Sequence, residues 1–558
     1  MKKLLVGIDL GTTFSCAAIL NDSGTIEVCP NKDTGSPTTP SALFLKKDGN
    51  ALVGEAAKSS IRGCISLDKN ERKEQMSDGF YINKSQTKAV IEQAKRFIGN
   101  KNKSYNFNDE TYNPSFVSAA IIKKIVQDVE SCYGQKIDKA VITVPANFNS
   151  QERQETLKAA NSIGLNVTDL IDEPSAAALA YSVNSQIDGI YVVYDFGGGT
   201  FDCSIVETNG EDVKILASEG IKRLGGKDLD LKLLEIIQKK YKKKSGKDLS
   251  PRQFSIIEAE ESKVSLSTMK DIEIFIDGHK IAVTRKEFEE AISTLIAKSM
   301  LVFDTAIEQA KISVDNIMDV ILVGGSSRIP LVNKELTKRI GKQPKSFGNP
   351  DETVAKGAAV YIALKNKENL NINQKAVVGA FEVKEITNVF LGTVYRDEND
   401  KRKNKNIIKK GARIPASKTE TFAIPVEYLM LQMKIINEGL GSNLSSMGNK
   451  TAAIMQVTES FTDSTALSNV KVVWKKNMHY PDLEYKYVNR NEDGGAFFER
   501  WSPIKVKYSI DKNQIFHVTV KHPASKKIMI DENLDMRKGS LNVKGSSKSQ
   551  KIDKFSID

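Results

Sequence analysis

Histidine and tryptophan are nearly missing from this chain of 558 residues, which has four of the first and two of the second. His279 alone precedes residue 365; the others are His479, His517 and His522. Imidazole acid–base catalysis is therefore not expected in the first two thirds of the chain. Cysteine is scarce as well. Cys16, Cys29, Cys64, Cys132 and Cys203 are odd in number, lie early, and show no Cys-x-x-Cys spacing. That pattern argues against a disulfide framework and against a zinc site. No apolar run approaches the ~18–20 residues of a membrane-crossing helix. The opening MKKLLVGIDL has two lysines and a short apolar stretch before Asp9. This falls short of the roughly 7–15 apolar residues of a secretory signal. A strand is expected there, in a cytoplasmic protein.

The formal charge of +11 reads as a lysine-rich solvated surface. The run KKYKKK (239–244) follows LKLLEII and closes a helix, where cations suit the helix dipole. No basic segment is interleaved with aromatics, so nucleic acid is not an expected partner, and neither is a membrane.

The length suggests several domains. Residues 1 to about 365 alternate strand-like and helix-like segments, the mark of an α/β domain. ITVPANF (142–148) is a strand ending at a turn, and Asn149-Ser150 caps the helix that follows. Glu173-Pro174 opens a helix, with proline at its start. Thr284 and Glu287 form a capping box ahead of Phe288, Ile292, Leu295 and Ile296 at helical spacing. KNKENLNINQK then marks a boundary, followed by the apolar piece AVVGAF (376–381). From there to about Asp531 the pattern is strand-like, most cleanly in IKVKYSI, and predicts an all-β domain. The division expected is 1–368, a linker at 369–383, a β-domain at 384–531, and a loose Ser/Lys/Gly-rich tail at 532–558.

Within the first domain, VGIDLGTTFSCAAI (6–19) and VVYDFGGGTFDCSIV (192–206) share one plan: apolar strand, Asp, Gly-rich turn with Thr, second strand. A duplicated half-domain closing around a shared cleft is the natural reading. Each interior glycine costs about 0.5–1 kcal/mol of backbone entropy, so the turns need a use. Without Cβ atoms, backbone N–H groups converge on an anion, and Thr hydroxyls add donors. Asp9 and Asp195 end the first strands, where a carboxylate can hold hydrated Mg²⁺. Two such turns face to face would grip a polyphosphate. MDVILVGGSSRIPLV (318–332) and RLGGKDLD (223–230) add glycine pairs beside a strand end and a helix start, and Arg328 is placed to stack on a flat ring.

GIDLGTT, KRFIG, VITVPANF, DEPSAAALAY, DFGGGTFD, LGGKDLD, VGGSSRIP and NPDETVAKGAAV resemble, in order, the motifs of the seventy-kilodalton heat-shock chaperones, the DnaK family. The resemblance covers about residues 3–365 and runs on more weakly through KKGARIPASKTETF and KVKYSIDKNQIFHVTVKHPASKK. It implies an α/β actin-like ATPase domain with duplicated ribonuclease-H-like halves, followed by an all-β sandwich that binds peptide. It implies ATP/ADP and Mg²⁺ as ligands, with K⁺ as a candidate further ion.

Carried over residue by residue, Asp9, Gly11, Thr12 and Thr13 resemble the first phosphate hairpin, and Gly197, Gly198, Gly199 and Thr200 the second. Lys95 matches the lysine that orients the attacking water, and Arg96 would lie near the adenine. Glu173 and Asp195 match the carboxylates that order Mg²⁺ and water, with Asp9 and Asp202 as further metal-site carboxylates. Pro145 and Arg153 resemble the switch pair that relays nucleotide state. Gly225, Gly226, Glu260, Lys263, Ser267, Gly324, Gly325, Ser326, Arg328 and Asp351 resemble the nucleoside clamp. Phe422, Leu431, Met433 and Ile435 are candidates for a hydrophobic peptide groove.

The chain departs from that pattern in places. Val264 stands where some members have arginine, and Lys227 where the family usually has Glu. The Gly54–Lys95 stretch is longer than usual and the Lys95–Pro145 stretch shorter. Asp169 replaces a common Arg at the surface that docks J-domain co-chaperones, and Asp172 replaces Asn. A charge reversal there predicts a non-standard J-domain partner. AVVGAF lacks the acid-flanked leucine run of the family linker, and the residues after Asp531 are too few for the helical lid. Two functions stay open: an ATP-hydrolysing chaperone for extended apolar segments of client polypeptides, assisted by an exchange factor, or a nucleotide-gated adaptor for one dedicated partner. A sugar kinase of the same superfold is a distant third, since the β-domain has no place there.

Overall fold

The computed structural model describes residues 4–185, 188–209, 213–344, 348–379, 387, 389–396, 401–425, 451–460, 463, 465–479, 489–490, 496–497, 501–521 and 528–533. Contacts divide the chain into two units, Met1–Lys384 and Glu385–Ser546. Among the described residues no helix is long and apolar enough to cross a membrane.

The first unit is built on two mixed sheets. In one, the strands run in the order Val167–Asp172, Ile137–Val144, Leu4–Asp9, Phe14–Leu20, Ile26–Cys29. Leu4–Asp9 pairs antiparallel with Phe14–Leu20 and parallel with Ile137–Val144. In the other the order is Ile317–Val323, Gly189–Phe196, Phe201–Thr208, Val213–Ile221. Gly189–Phe196 pairs antiparallel with Phe201–Thr208 and parallel with Ile317–Val323. Each sheet thus sets an antiparallel hairpin beside a parallel strand. The first strand of each hairpin is buried almost throughout, as a strand covered on both faces must be.

Helices Glu173–Ser185 and Thr353–Leu364 pack with residues of both sheets in one core that includes Val141, Ile171, Val193, Ile321, Ala176 and Ala358. Their approach requires glycine: a Cβ at Gly357 would lie 1.7 Å from the Ala176 carbonyl oxygen, and one at Gly7 would lie 2.2 Å from the Ala359 nitrogen. The expected caps are present. Asn149 accepts from the Gln151 and Glu152 amides to start helix Ser150–Asn161, and Thr284 with Glu287 caps helix Arg285–Ala310. The lysine run closes helix Gly226–Ser245. Within the segment expected as a linker, Ile372–Val378 forms a helix capped by Asn371, and Gln374 Nε2 donates to the Leu20 carbonyl at 2.9 Å.

The second unit holds two antiparallel four-stranded sheets. One runs Arg402–Ile408, Phe390–Arg396, Thr451–Ser460, Lys471–His479. The other runs Ala416–Pro425, Trp501–Ile510, Phe516–Lys521, Ile528–Asn533. Leu391, Ile407 and Val457 of the first share one core with Ile504, Val506, Tyr508, Val518 and Ile530 of the second. IKVKYSI (504–510) alternates buried and outward-facing residues as its sequence predicts. Phe422 packs half-buried against this core. Leu431, Met433 and Ile435 lie outside the described residues, as does nearly all of the tail.

Candidate functional site

The two glycine turns meet. A Cβ at Gly198 would lie 2.0 Å from Thr13 Oγ1, and one at Gly199 would lie 2.6 Å from Thr12 Cγ2. Only glycine permits this contact between turns roughly 190 residues apart in the chain. In the first turn, Gly11 N donates to Ser15 Oγ at 3.1 Å while its carbonyl accepts from Ser41 Oγ at 2.9 Å. In the second, Gly197 N donates to the Thr200 carbonyl at 3.1 Å.

The other expected loops join the same contact. Gly225 stands so close that a Cβ there would lie 2.4 Å from Gly199 N. A Cβ at Gly226 would meet Ser326 Oγ at 2.8 Å and Lys263 Nζ at 2.9 Å. Ser326 Oγ donates to the Gly197 carbonyl at 3.0 Å. Gly324, at φ 75°, adopts a left-handed conformation that a side chain would strain, and a Cβ there would lie 2.6 Å from the Phe196 carbonyl. Arg328 pairs with Asp351 at 2.6 Å, and Gly325 lies beside that pair. Ser267 Oγ donates to the Lys263 carbonyl at 3.1 Å, and Glu260 pairs with Lys58 at 2.9 Å. The Arg96 guanidinium bonds Gln93 and the Lys222 carbonyl, and its Cδ lies near Gly199.

At the foot of the cleft four carboxylates gather around one lysine. Lys95 and Glu173 form a buried ion pair. Asp9 Oδ1 accepts from Thr143 Oγ1 at 2.7 Å. Asp195 stands directly opposite Asp202 across the second hairpin. Burial, then the charges of Glu173, Asp202 and Asp9, push the Asp195 carboxyl well above its usual range. Burial raises Asp9 and Glu173 too, against the pull of Lys95. Burial opposes the charge of Lys95, but Glu173, Asp9 and Asp195 outweigh it and hold the ammonium above its normal value. Asp202 is pushed up to about 7, first by burial and then by Glu173.

Burial is the largest cause of each carboxyl shift, and the mutual repulsion of the carboxylates adds to it. Such a donor set fits a divalent cation. Among the described residues no three Asp, Glu, His or Cys side chains form a direct metal cage. A hydrated Mg²⁺ held through water by one or two carboxylates fits this arrangement.

The Asp202 shift has a consequence for stability in metal-free buffer. Its carboxyl binds a proton more tightly folded than unfolded between the ordinary aspartate value of 3.8 and about 7. Stability therefore falls as pH rises through that window and levels off above it. Asp202→Asn is expected to stabilise the chelator-treated protein at pH 8, by at most about 4 kcal/mol at about 1.4 kcal/mol per unit. Urea titrations at pH 8, 6 and 4.5 should show that gain shrinking as pH falls. A gain independent of pH would contradict the charge explanation.

Pairs that no spacing rule indicates tie the cleft walls together. Lys227 Nζ, on helix Gly226–Ser245, reaches Glu92 Oε1 at 2.6 Å, and Tyr81 OH donates to the same oxygen at 2.7 Å. Lys263 pairs with Asp230 at 2.8 Å, and Lys222 with Glu152 at 2.6 Å. The cavity lined by Thr12, Thr13, Gly198, Glu92, Lys227 and Lys263 holds about 30 Å³, room for roughly one water.

One expectation is corrected. Asp169 is 5% exposed, inside the parallel strand Val167–Asp172. Asp172 is 7% exposed and bonds Arg153 at 2.6 Å. Neither presents a charge at a docking surface. The last four residues of this strand are buried in succession, so both its faces are covered there, and the surface position carried over from the family resemblance does not hold for Asp169. Of the switch candidates, Arg153 bonds the Phe148 and Ala146 carbonyls in the loop that begins at Pro145.

The Hsp70 protein family model matches residues 5–436. The Chaperone protein DnaK of Thermotoga neapolitana is 36% identical over 379 residues, which is 65% of this chain and 60% of that relative. The DnaK of Thermotoga petrophila matches with the same identity and coverage. The chain thus aligns with less than two thirds of the length of these curated relatives. With the family model spanning more than half of its residues and the glycine turns in contact over a buried carboxylate cluster, the chain belongs to the Hsp70 family.

Proposed function

We propose that this protein hydrolyses ATP to ADP and phosphate in the first unit and binds extended polypeptide with the second, as a chaperone of the DnaK type. In this reading the two sheets of the first unit are the duplicated halves of an actin-like ATPase, and the second unit is a peptide-binding β-sandwich. The observation that carries the proposal is the single buried lysine among Asp9, Glu173, Asp195 and Asp202, directly beneath two touching glycine turns.

Phosphoryl transfer to water asks the protein mainly for positioning and charge stabilisation. The turn amides and the hydroxyls of Thr12, Thr13 and Thr200 would line the phosphates. Lys95 would meet the charge that builds on the transferred group. Glu173 and Asp195 would orient the attacking water, and the carboxylate set would hold Mg²⁺ through waters. Bound Mg²⁺ would neutralise phosphate charge. K⁺ remains part of the proposal as a second ion. Five unpaired cysteines, four of them buried, suit a reducing cytoplasm. Client polypeptides, a J-domain co-chaperone and an exchange factor complete the proposed partners.

The test is calorimetric titration with ATP and ADP, with Mg²⁺ or chelator, followed by fluorescent apolar peptides with and without ATP. Mg²⁺-dependent nucleotide binding and ATP-weakened peptide binding are the expected results. Failure to take up adenine nucleotide would end the proposal. Nucleotide binding without affinity for any of several peptides would favour an adaptor dedicated to one partner.

A further inference from the structure

The loop after strand Ile137–Val144 brings one amide to the most crowded carboxylate pair of the site. Asn147 Nδ2 donates to Asp202 Oδ1 at 2.6 Å. Asn147 is held from both sides by a single buried side chain. Arg153 Nε donates to the Phe148 carbonyl at 3.1 Å, and Nη2 to the Ala146 carbonyl at 3.5 Å. The same Nη2 meets Asp172 Oδ1 at 2.6 Å. Arg153 is 2% exposed, and Asp172 immediately precedes the Glu173 that pairs with Lys95. Asn149 caps the helix carrying Arg153, so the far end of the loop is fixed as well. The strand facing Asp202 leaves a gap for this contact. A Cβ at Gly220 would lie 2.3 Å from Asp202 Oδ1 and 2.8 Å from Asn147 Nδ2.

We propose that Asn147 is a positioning residue of the cleft: it anchors one oxygen of Asp202 and so sets that carboxylate's aim relative to Asp195, its cross-strand neighbour, with Arg153 acting through the loop. This rests on the reading of the cleft as a Mg·ATP site. An aspartate in a hairpin has free rotation about its terminal bond unless one oxygen is tied. Here the tie comes from a separate element, whose own position is fixed by the Arg153–Asp172 pair beside Glu173. The two halves of the carboxylate cluster are therefore registered to each other through Asn147. Partners of this kind are commonly worth 10–100-fold in metal affinity or activity.

The experiment compares native protein with Asn147→Ala, Asn147→Asp and Gly220→Ala. It reads kcat and KM for ATP, ADP affinity by calorimetry with Mg²⁺ and with chelator, and melting temperature. Asn147→Ala is expected to lower kcat about 10–100-fold, with KM within about twofold and the Mg²⁺ contribution to ADP affinity reduced. Gly220→Ala, acting from the opposite side, should do the same. Asn147→Asp, equal in shape but facing Asp202 with like charge, should be worse than alanine. A residue that merely filled space would tolerate aspartate better than alanine, and that order would overturn the proposal. So would native kcat and native Mg²⁺ dependence in both Asn147→Ala and Gly220→Ala. A native chain that neither binds nor turns over ATP would instead overturn the reading of the cleft, and the inference with it.

Discussion

Lys95→Met is expected to lower ATP turnover by about 10²–10³-fold, the usual loss when one fixed donor to a transition-state charge is removed. Methionine keeps the length and apolar stem of lysine, so the change isolates the ammonium. Lys95 pairs with Glu173, and its charge also acts on Asp9, Asp195 and Asp202. Burial already raises the Glu173 carboxyl, and Lys95 is the group opposing that rise. Without it that rise goes unopposed, and the carboxylate proposed to orient water is less readily kept charged. Two functions are thus lost together, and the effect should fall on kcat more than on KM. Single-turnover measurements with saturating protein separate the chemical step from nucleotide binding. Turnover within threefold of native would show that Lys95 is a structural partner of Glu173 and nothing more.

What was legible in the sequence divides along a physical line. Local signals came through: the Asp-Gly-Thr turns, the capping boxes at Asn149 and Thr284, and the alternation of IKVKYSI. Each depends on neighbours within a few residues. The turns could also be expected to meet, because two copies of one plan imply a shared cleft, and Gly198 touches Thr13. Side-chain partners far apart in the chain were not legible. Asn147 carries no signal at all, since its partner Asp202 is 55 residues away. Asp169 was placed at a surface by resemblance alone, and the consecutive burial of Asp169 to Asp172 has no alternation in the sequence to correct it. Lys227 was visible as a reversal of the family's usual Glu, but its partner 135 residues earlier was not.

That partner supplies the second large effect. Lys227→Met is expected to destabilise the first unit by about 3–5 kcal/mol, the range for breaking a buried ion pair from one side. The side chains of Lys227 and Glu92 are each 12% exposed, and the two groups meet at 2.6 Å. Burial opposes the charge of Lys227, yet Glu92 and then Tyr81 carry its pKa above the ordinary value, so the lysine stays an ammonium. Removing it leaves Glu92 with two neutral donors, the Tyr81 hydroxyl at 2.7 Å and Gln93 Nε2 at 3.4 Å, which cannot balance a full negative charge. A glutamate at 227 would set two carboxylates against each other, so the reversal at 227 is tolerable only with a residue such as Glu92 opposite. The double variant Lys227→Met with Glu92→Leu should therefore recover most of the loss, since an apolar pair of similar volume can replace a buried ion pair at little cost. Urea unfolding of the two single variants, the double variant and the native chain completes the cycle, and the loss in the double variant should be well below the sum of the two single losses. Because Lys227 and Glu92 line one cavity from different elements, the single variants should also release the proposed nucleotide faster, about tenfold for each 1.4 kcal/mol of lost binding. A Lys227→Met protein as stable as native, with unchanged nucleotide release, would mean that the pair neither holds the fold nor retains nucleotide.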